Sequence, residues 1–228
     1  MGTLASNRKG FIVGASSGTY SAALNGTTGT AQDGATNTQS SIQYFKSTGR
    51  GGGTFRFIRT FIHFDTSGIS GGSSFQLQLT SAGANGSPSS LSNTTAIKHT
   101  AGGSNGGELA NSDFNNIDRN TPYSSATTFG SSGTVTFTLN ATAASQIINN
   151  NDFNVALLLS HDAAAETEDM LEESGDVTNQ INFGSAINLT YTDPVSDYTH
   201  KINNLAAANI GKVNTVATAS VGKVNTVD

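Results

Sequence analysis

The chain has 228 residues, enough for one large domain with a sizeable core and an appendage. Charged residues make up only 12% of it and the net charge is −5, which gives no reason to expect a nucleic-acid surface, since those need clustered Lys and Arg. It contains no Cys, so disulfides, thiolate metal sites and Cys nucleophiles are excluded.

Gly is abundant at 26 residues, and Ser, Thr and Asn recur throughout, a composition that suits extracellular or virion β-structure. Residues 1–9 lack the apolar h-region of a secretory signal. No stretch approaches the roughly 18 consecutive apolar residues of a membrane span. A surface-type composition without either predicts exit from the cell by another route, such as assembly into a virus particle released by lysis.

In chain order, Phe11-Ile12-Val13 reads as a short strand, residues 14–18 as a turn and residues 20–24 as an edge strand. Residues 25–41 are rich in Gly, Thr, Asn and Gln and read as surface loop. Ile42-Gln43-Tyr44-Phe45 is the next strand. Arg50-Gly51-Gly52-Gly53 lacks the Gly-Lys-Ser/Thr ending of a phosphate loop and precedes no helix. It leads into the stretch that organises the rest, residues 54–65. There Phe55, Phe57 and Phe61 alternate with Ile58, Ile62 and Phe64, so both faces of the strand are apolar and the strand is central, covered on both sides. Gly71-Gly72 turns the chain into residues 74–80, where Phe75, Leu77 and Leu79 face a core and Gln76 and Gln78 face water.

Residues 95–99 form a short strand inside a Gly/Ser/Asn-rich region, and residues 113–117 with Tyr123 read as a packed connection. Residues 133–139 alternate, with Val135, Phe137 and Leu139 inward. Asn140 caps a short helix over residues 141–149 that buries Ala144, Ile147 and Ile148. Residues 153–160 are a buried strand, and residues 180–183 and 187–192 are two further strands before Asp193-Pro194 closes the domain. The fold class is therefore all-β: an antiparallel β-sandwich over residues 1–194 with one or two short helices, followed by a tail over residues 195–228.

Arg59-Thr60-Phe61-Ile62-His63-Phe64-Asp65-Thr66-Ser67-Gly68-Ile69, followed by residues 73–79, resembles the signature of DNRLRE-type jelly-roll domains. Versions of that sandwich recur in bacterial surface proteins and in virion proteins of tailed phages. Lys9-Gly10-Phe11-Ile12-Val13, residues 154–162 and residues 187–192 are similar to the phage version. The resemblance implies a jelly roll.

In the tail, Lys201-Ile202-Asn203-Asn204-Leu205, Lys212-Val213-Asn214-Thr215-Val216 and Lys223-Val224-Asn225-Thr226-Val227 recur every eleven residues. On a helix of about 3.67 residues per turn the apolar positions would share one face, but Gly, Val, Asn and Thr are poor helix formers. Short strand-and-turn units are favoured, with residues 202–210 the better helical stretch. Three small units cannot bury their apolar side alone. Ile202, Leu205, Ile210, Val213, Val216, Val221, Val224 and Val227 are thus the candidate residues for oligomerisation or attachment. The repeat resembles the Ile-x-Lys-Val-Asn-Gly-Val tandem tails of phage virion proteins, including marine phages, with Thr215 and Thr226 in place of Gly. Resemblance to fibre-like phage proteins implies a homotrimer.

The candidates for chemistry are few. Ser160-His161-Asp162 has the letters of a triad, but neighbours on a strand point to opposite faces, so a strand end with Asp162 capping a helix over residues 163–173 is the reading. His63 and Arg59 share the Phe55/Phe57/Phe61 side; His63 reads as a satisfied core or interface residue, and Arg59, buried, must find an acid or backbone carbonyls. Asp65 reads as a turn cap. Asp162, Glu166, Glu168, Asp169, Glu172, Glu173 and Asp176 form an acidic run with calcium-type ligands but no Asp-x-Asp-x-Asp-Gly pattern, so no cofactor is expected. Trp is absent and only five Tyr are present, which weakens carbohydrate binding through aromatic platforms. The expectation is a non-enzymatic virion structural protein of a tailed phage, a capsid decoration or fibre component. Its partners would be copies of itself and other virion proteins, with no nucleic acid and no membrane. The alternative is an adhesin for a receptor or host-surface glycan on the same sandwich.

Overall fold

The computed structural model describes residues 1–33, 40–49, 53–85, 93–99, 108–128, 132–164, 176–194, 212–213 and 216–217. Every strand pairing among them is antiparallel. In chain order the strands are β1 (Gly2–Ala5), β2 (Arg8–Gly14), β3 (Gly29–Asp33), β4 (Ser40–Ser47), β5 (Thr54–Asp65), β6 (Ser73–Asn85), β7 (Asn93–His99), β8 (Ile117–Pro122), β9 (Thr127–Thr128), β10 (Gly133–Thr138), β11 (Asp152–Leu159) and β12 (Val177–Thr192). The main path of the sheet runs β10-β6-β12-β4-β5-β11-β7-β8. Helices are short: α1 (Tyr20–Leu24), a 3-10 turn Asn111–Asn115, α2 (Ala141–Asn149) and a helical turn Ser160–Ala163. The protein is all-β and antiparallel, consistent with a sandwich.

β5 is the strand on which the sheet divides. One edge pairs with β2, from Ile58–Val13 to His63–Arg8. The other edge takes two strands in succession: β4 pairs with residues 54–58, then β11 with residues 60–65. Had the β4 ladder continued, Ser41 would lie opposite Thr60. Instead the Thr60 hydroxyl donates to the Ser41 carbonyl at 2.8 Å, so the diverging strand keeps a partner for a buried acceptor. β12 divides in the same way, pairing with β6 on one edge and with β4 and then β1 on the other. The adjacent residues Ser6 and Asn7 donate to Ile187 O and His63 O, each at 3.0 Å, which brings β12 and β5 within a peptide of each other.

The expected double burial of β5 is present. On its odd face, Tyr20 of α1 packs edge-on against Phe57 at 5.5 Å and Phe55 at 6.1 Å. On its even face, Phe64 meets Phe153 of β11 at 6.2 Å, and Phe153 meets Tyr123 at 5.2 Å. The alternation of β6 and β10 also holds: Phe75, Leu77, Leu79, Val135 and Phe137 are buried in one cluster with Ile181, Phe183, Ile187 and Leu189 of β12. Asn140 is the N-cap of α2, its Oδ1 accepting from Ala143 N at 3.0 Å. Ile147 of that helix is buried, and Ala144 and Ile148 pack partly buried against the core.

Several expectations are corrected. Residues 20–24 are a helix, not an edge strand, because Thr19 caps it: its Oγ1 accepts from Ala22 N at 3.3 Å. The stretch read as loop contains β3, which pairs with β2 through the backbone although it has little to bury. Residues 2–5 form a strand on the edge of β12. Residues 180–183 and 187–192 are one strand, β12, whose irregularity disguised its continuity. Between Phe183 and Ile187 it advances four positions while β6 moves two, from Ser81 to Leu79, so the inward parity survives. On the β6 side Gly83 sits at φ +124 in a second irregularity, a backbone shape that other residues rarely adopt.

Candidate functional site

Of the attachment residues expected in the tail, Val213 and Val216 belong to described backbone: Lys212–Val213 (β13) and Val216–Ala217 (β14) pair as an antiparallel ladder with Val213 opposite Val216. The two residues between them, Asn214 and Thr215, lie outside the described residues, as do Ile202, Leu205, Ile210, Val221, Val224 and Val227. At the base of the tail, the Met1 amino group pairs with Asp193 at 3.0 Å, so the start of β1 and the end of β12 lie side by side.

Among the described residues the densest polar chemistry lies at Arg59. β11 runs antiparallel to β5 as far as Leu157 opposite Thr60, the residue next to Arg59, and Leu158 and Leu159 continue along β7. The chain then makes the turn Ser160–Ala163, which returns Asp162 onto that arginine. Arg59 Nε donates to Asp162 Oδ2 at 2.8 Å and Nη2 to Oδ1 at 2.7 Å, a two-point fork. Nη1 donates to Phe114 O and Nη2 to Leu24 O, each at 2.7 Å. The guanidinium lies 4.0 Å from the centre of the Phe114 ring. Gly14 leaves the space that ring occupies: a Cβ there would collide with its Cζ. Arg119 of β8 completes the cluster, donating from Nη2 to Asp162 Oδ1 at 3.0 Å and from Nε to the Asp162 carbonyl at 2.9 Å.

Arg59 has no exposed surface, and Asp162 is 1% exposed. Burial pushes the Asp162 carboxyl up, but the two guanidinium groups and their hydrogen bonds more than reverse it, holding the group below its ordinary range. Burial lowers Arg59 from its ordinary value, partly offset by Asp162; a guanidinium nevertheless stays charged. The cluster ties together β5, β8, α1, the 3-10 turn and the end of β11.

Asp162 sits inside the helical turn Ser160–Ala163, with its carboxylate on two arginines, and the residues of the expected helix beyond Ala164 lie outside the described residues. The strand ends at Leu159, so Ser160, His161 and Asp162 stand in a helical turn rather than on a strand. At the other end of the acidic run, Asp176 Oδ1 accepts from Thr48 N at 2.7 Å and Thr48 Oγ1 at 3.3 Å. The Thr48 amide and the Ser47 hydroxyl hold that carboxyl below its ordinary range. The five acids between, Glu166, Glu168, Asp169, Glu172 and Glu173, lie outside the described residues; among the described ones no three His, Asp or Glu side chains gather as a metal site.

His63 has the partner expected of it: Nε2 lies 2.8 Å from Asp152 Oδ1. Asp65 makes the expected turn, its Oδ1 accepting from Ser67 N at 3.0 Å and Ser67 Oγ at 2.6 Å, contacts that lower its carboxyl. Sequence reasoning required a partner for Arg59 but did not find Asp162, 103 positions away. The signal available was an acid three residues after the end of a continuous apolar strand. No family model matches the chain, and no curated protein matches it.

Proposed function

We propose that the chain is a non-enzymatic structural protein of a tailed-phage particle, a jelly-roll sandwich displayed as a capsid decoration or fibre component. The observation that carries the reading is the tandem repeat: three copies of a Lys-apolar-Asn-x-apolar unit, eleven residues apart, follow a domain that already has its closing strand in β12. Units of that size require a partner to bury their apolar positions. Ile202, Leu205, Ile210, Val213, Val216, Val221, Val224 and Val227 would meet other copies about an axis, with a trimer as the first expectation, or other virion proteins. Lys201, Lys212 and Lys223 would remain at the rim with their ammonium groups in water. The antiparallel β fold and the resemblance to phage jelly-roll domains support the same reading.

Mixing the purified full chain with phage particles emptied of the chain, and separately with host cells, tests it. Cosedimentation with particles and not with cells is expected. Retention by cells alone assigns the chain to the receptor-binding alternative, and retention by neither rejects both.

A further inference from the structure

α1 is a short helix of five residues whose C-cap is Asn25, and Gly26 follows it. Asn25 is exposed and Gly26 half-buried. An asparagine followed by glycine carries its own electrophile and nucleophile. The electrophile is the side-chain carboxamide carbon; the nucleophile is the next backbone nitrogen, which no Cβ shields. The Gly26 amide makes a long bond, to Ala23 O at 3.4 Å.

The folded cap holds the two groups apart. Asn25 N donates to Ser21 O at 3.0 Å. Its Nδ2 donates to Ser21 O at 3.0 Å and to Ser21 Oγ at 3.5 Å. At the Asn25 ψ of 11° the Gly26 nitrogen eclipses the Asn25 nitrogen and is turned away from Cβ. The rotation that brings it over the carboxamide needs the Ser21 contacts released. Helices this short open at low cost. This one is kept by the Thr19 cap at its start and by the burial of Tyr20, Ala23 and Leu24.

We propose that Asn25-Gly26 is a site of slow self-modification, a deamidation gated by the opening of α1. Hydroxide takes the Gly26 amide proton, and the nitrogen attacks Asn25 Cγ. The new N–C bond closes a succinimide ring, the carboxamide C–N bond breaks, and the nitrogen leaves as ammonia with a proton from water. A second water then opens the ring. Cleavage at Cγ leaves aspartate in an ordinary backbone; cleavage at the backbone carbonyl leaves isoaspartate, with the chain running through Cγ. Either product places a carboxylate one residue from the Leu24 carbonyl, which accepts from Arg59 Nη2 at 2.7 Å and Arg119 Nη2 at 3.5 Å. The covalent change is one-way and lies next to the buried cluster. It is independent of where the chain resides, so its failure leaves the cosedimentation result untouched.

Warm incubation of the full chain at mildly alkaline pH, followed by peptide mapping with mass spectrometry, tests it. Mapping separates Asn25 from the same dipeptide at Asn85-Gly86 and Asn105-Gly106. Asn25 should convert to a mixture of aspartate and isoaspartate, more slowly in the folded chain than in denaturant. Thr19→Ala should speed conversion at Asn25 about fivefold, through the extra opening that a lost N-cap allows. Gly26→Ala should slow it severalfold. No conversion at Asn25 in the parent or in Thr19→Ala, while the denatured chain converts, overturns the proposal. So do equal rates in Thr19→Ala and the parent, or a rate unchanged by Gly26→Ala. Should Thr19→Ala fail to fold, Gly26→Ala decides the matter, since a Cβ there would lie 3.4 Å from its nearest neighbour, Ala23 O.

Discussion

Arg59 and His63 stand four residues apart on the same side of β5, and each has an aspartate from the region of β11. Arg59 meets Asp162 with both groups almost sealed from water, and adds the carbonyls of Leu24 and Phe114. His63 meets Asp152 with the carboxylate side chain 28% exposed, and its Nδ1 has no hydrogen-bond partner among the described residues. The same strand thus carries one polar contact that is inseparable from the fold and one at its margin. Removing one member of a fully desolvated pair leaves a buried charge; removing one member of a half-wet pair lets water replace it.

The largest expected effect follows from that. Asp162→Ala should lower unfolding stability by about 3–5 kcal/mol in denaturant titration, because two arginines lose their counter-charge. A loss no greater than that of a surface change would show the cluster to be incidental. Phe57→Ala or Phe61→Ala should cost a comparable amount, about 3–5 kcal/mol, by leaving cavities in the β5 face.

Acid sharpens the comparison further. The folded Asp162 carboxyl lies below its ordinary range, so the unfolded chain binds more protons in acid. The stability it contributes is complete above the unfolded carboxylate value of about 3.9 and is lost as pH falls through the folded value. Denaturant midpoints should therefore fall steeply at acid pH in the parent and less steeply in Asp162→Ala. Equal slopes would mean that other carboxylates dominate.

Arg119→Ala removes the more exposed partner and should cost about 1.5–3 kcal/mol, a charged hydrogen bond's worth. Asp152→Ala should cost least, about 1 kcal/mol. A reversal of that order in melts of the two variants would break the contrast between the buried and marginal pairs.

What the sequence makes legible follows the same division. Elements that bury apolar side chains announced themselves: β5 by its two apolar faces, β6 and β10 by alternation, and α2 by Asn140. β3 was missed because its pairing with β2 rests on backbone hydrogen bonds, while Gly29, Thr30 and Gln32 carry no apolar pattern. α1 was missed although Tyr20, Ala23 and Leu24 have the i, i+3, i+4 spacing of one buried helical face, because a single turn is too short for that period to stand out; the Thr19 cap marks its start. The Arg59–Asp162 fork was half legible. Burial demanded a partner, but its identity depended on β11 lying beside β5 and on the turn that follows it.

The central claim sets a self-sufficient β domain beside a tail that joins copies or fastens them to a particle. Truncation after Asp193, followed by light scattering and a thermal melt, addresses it most directly. The truncated chain should keep a cooperative melt and fall to the mass of a single chain, while the full chain scatters as an oligomer. A truncated chain that retains the oligomeric mass of the full chain would contradict the account.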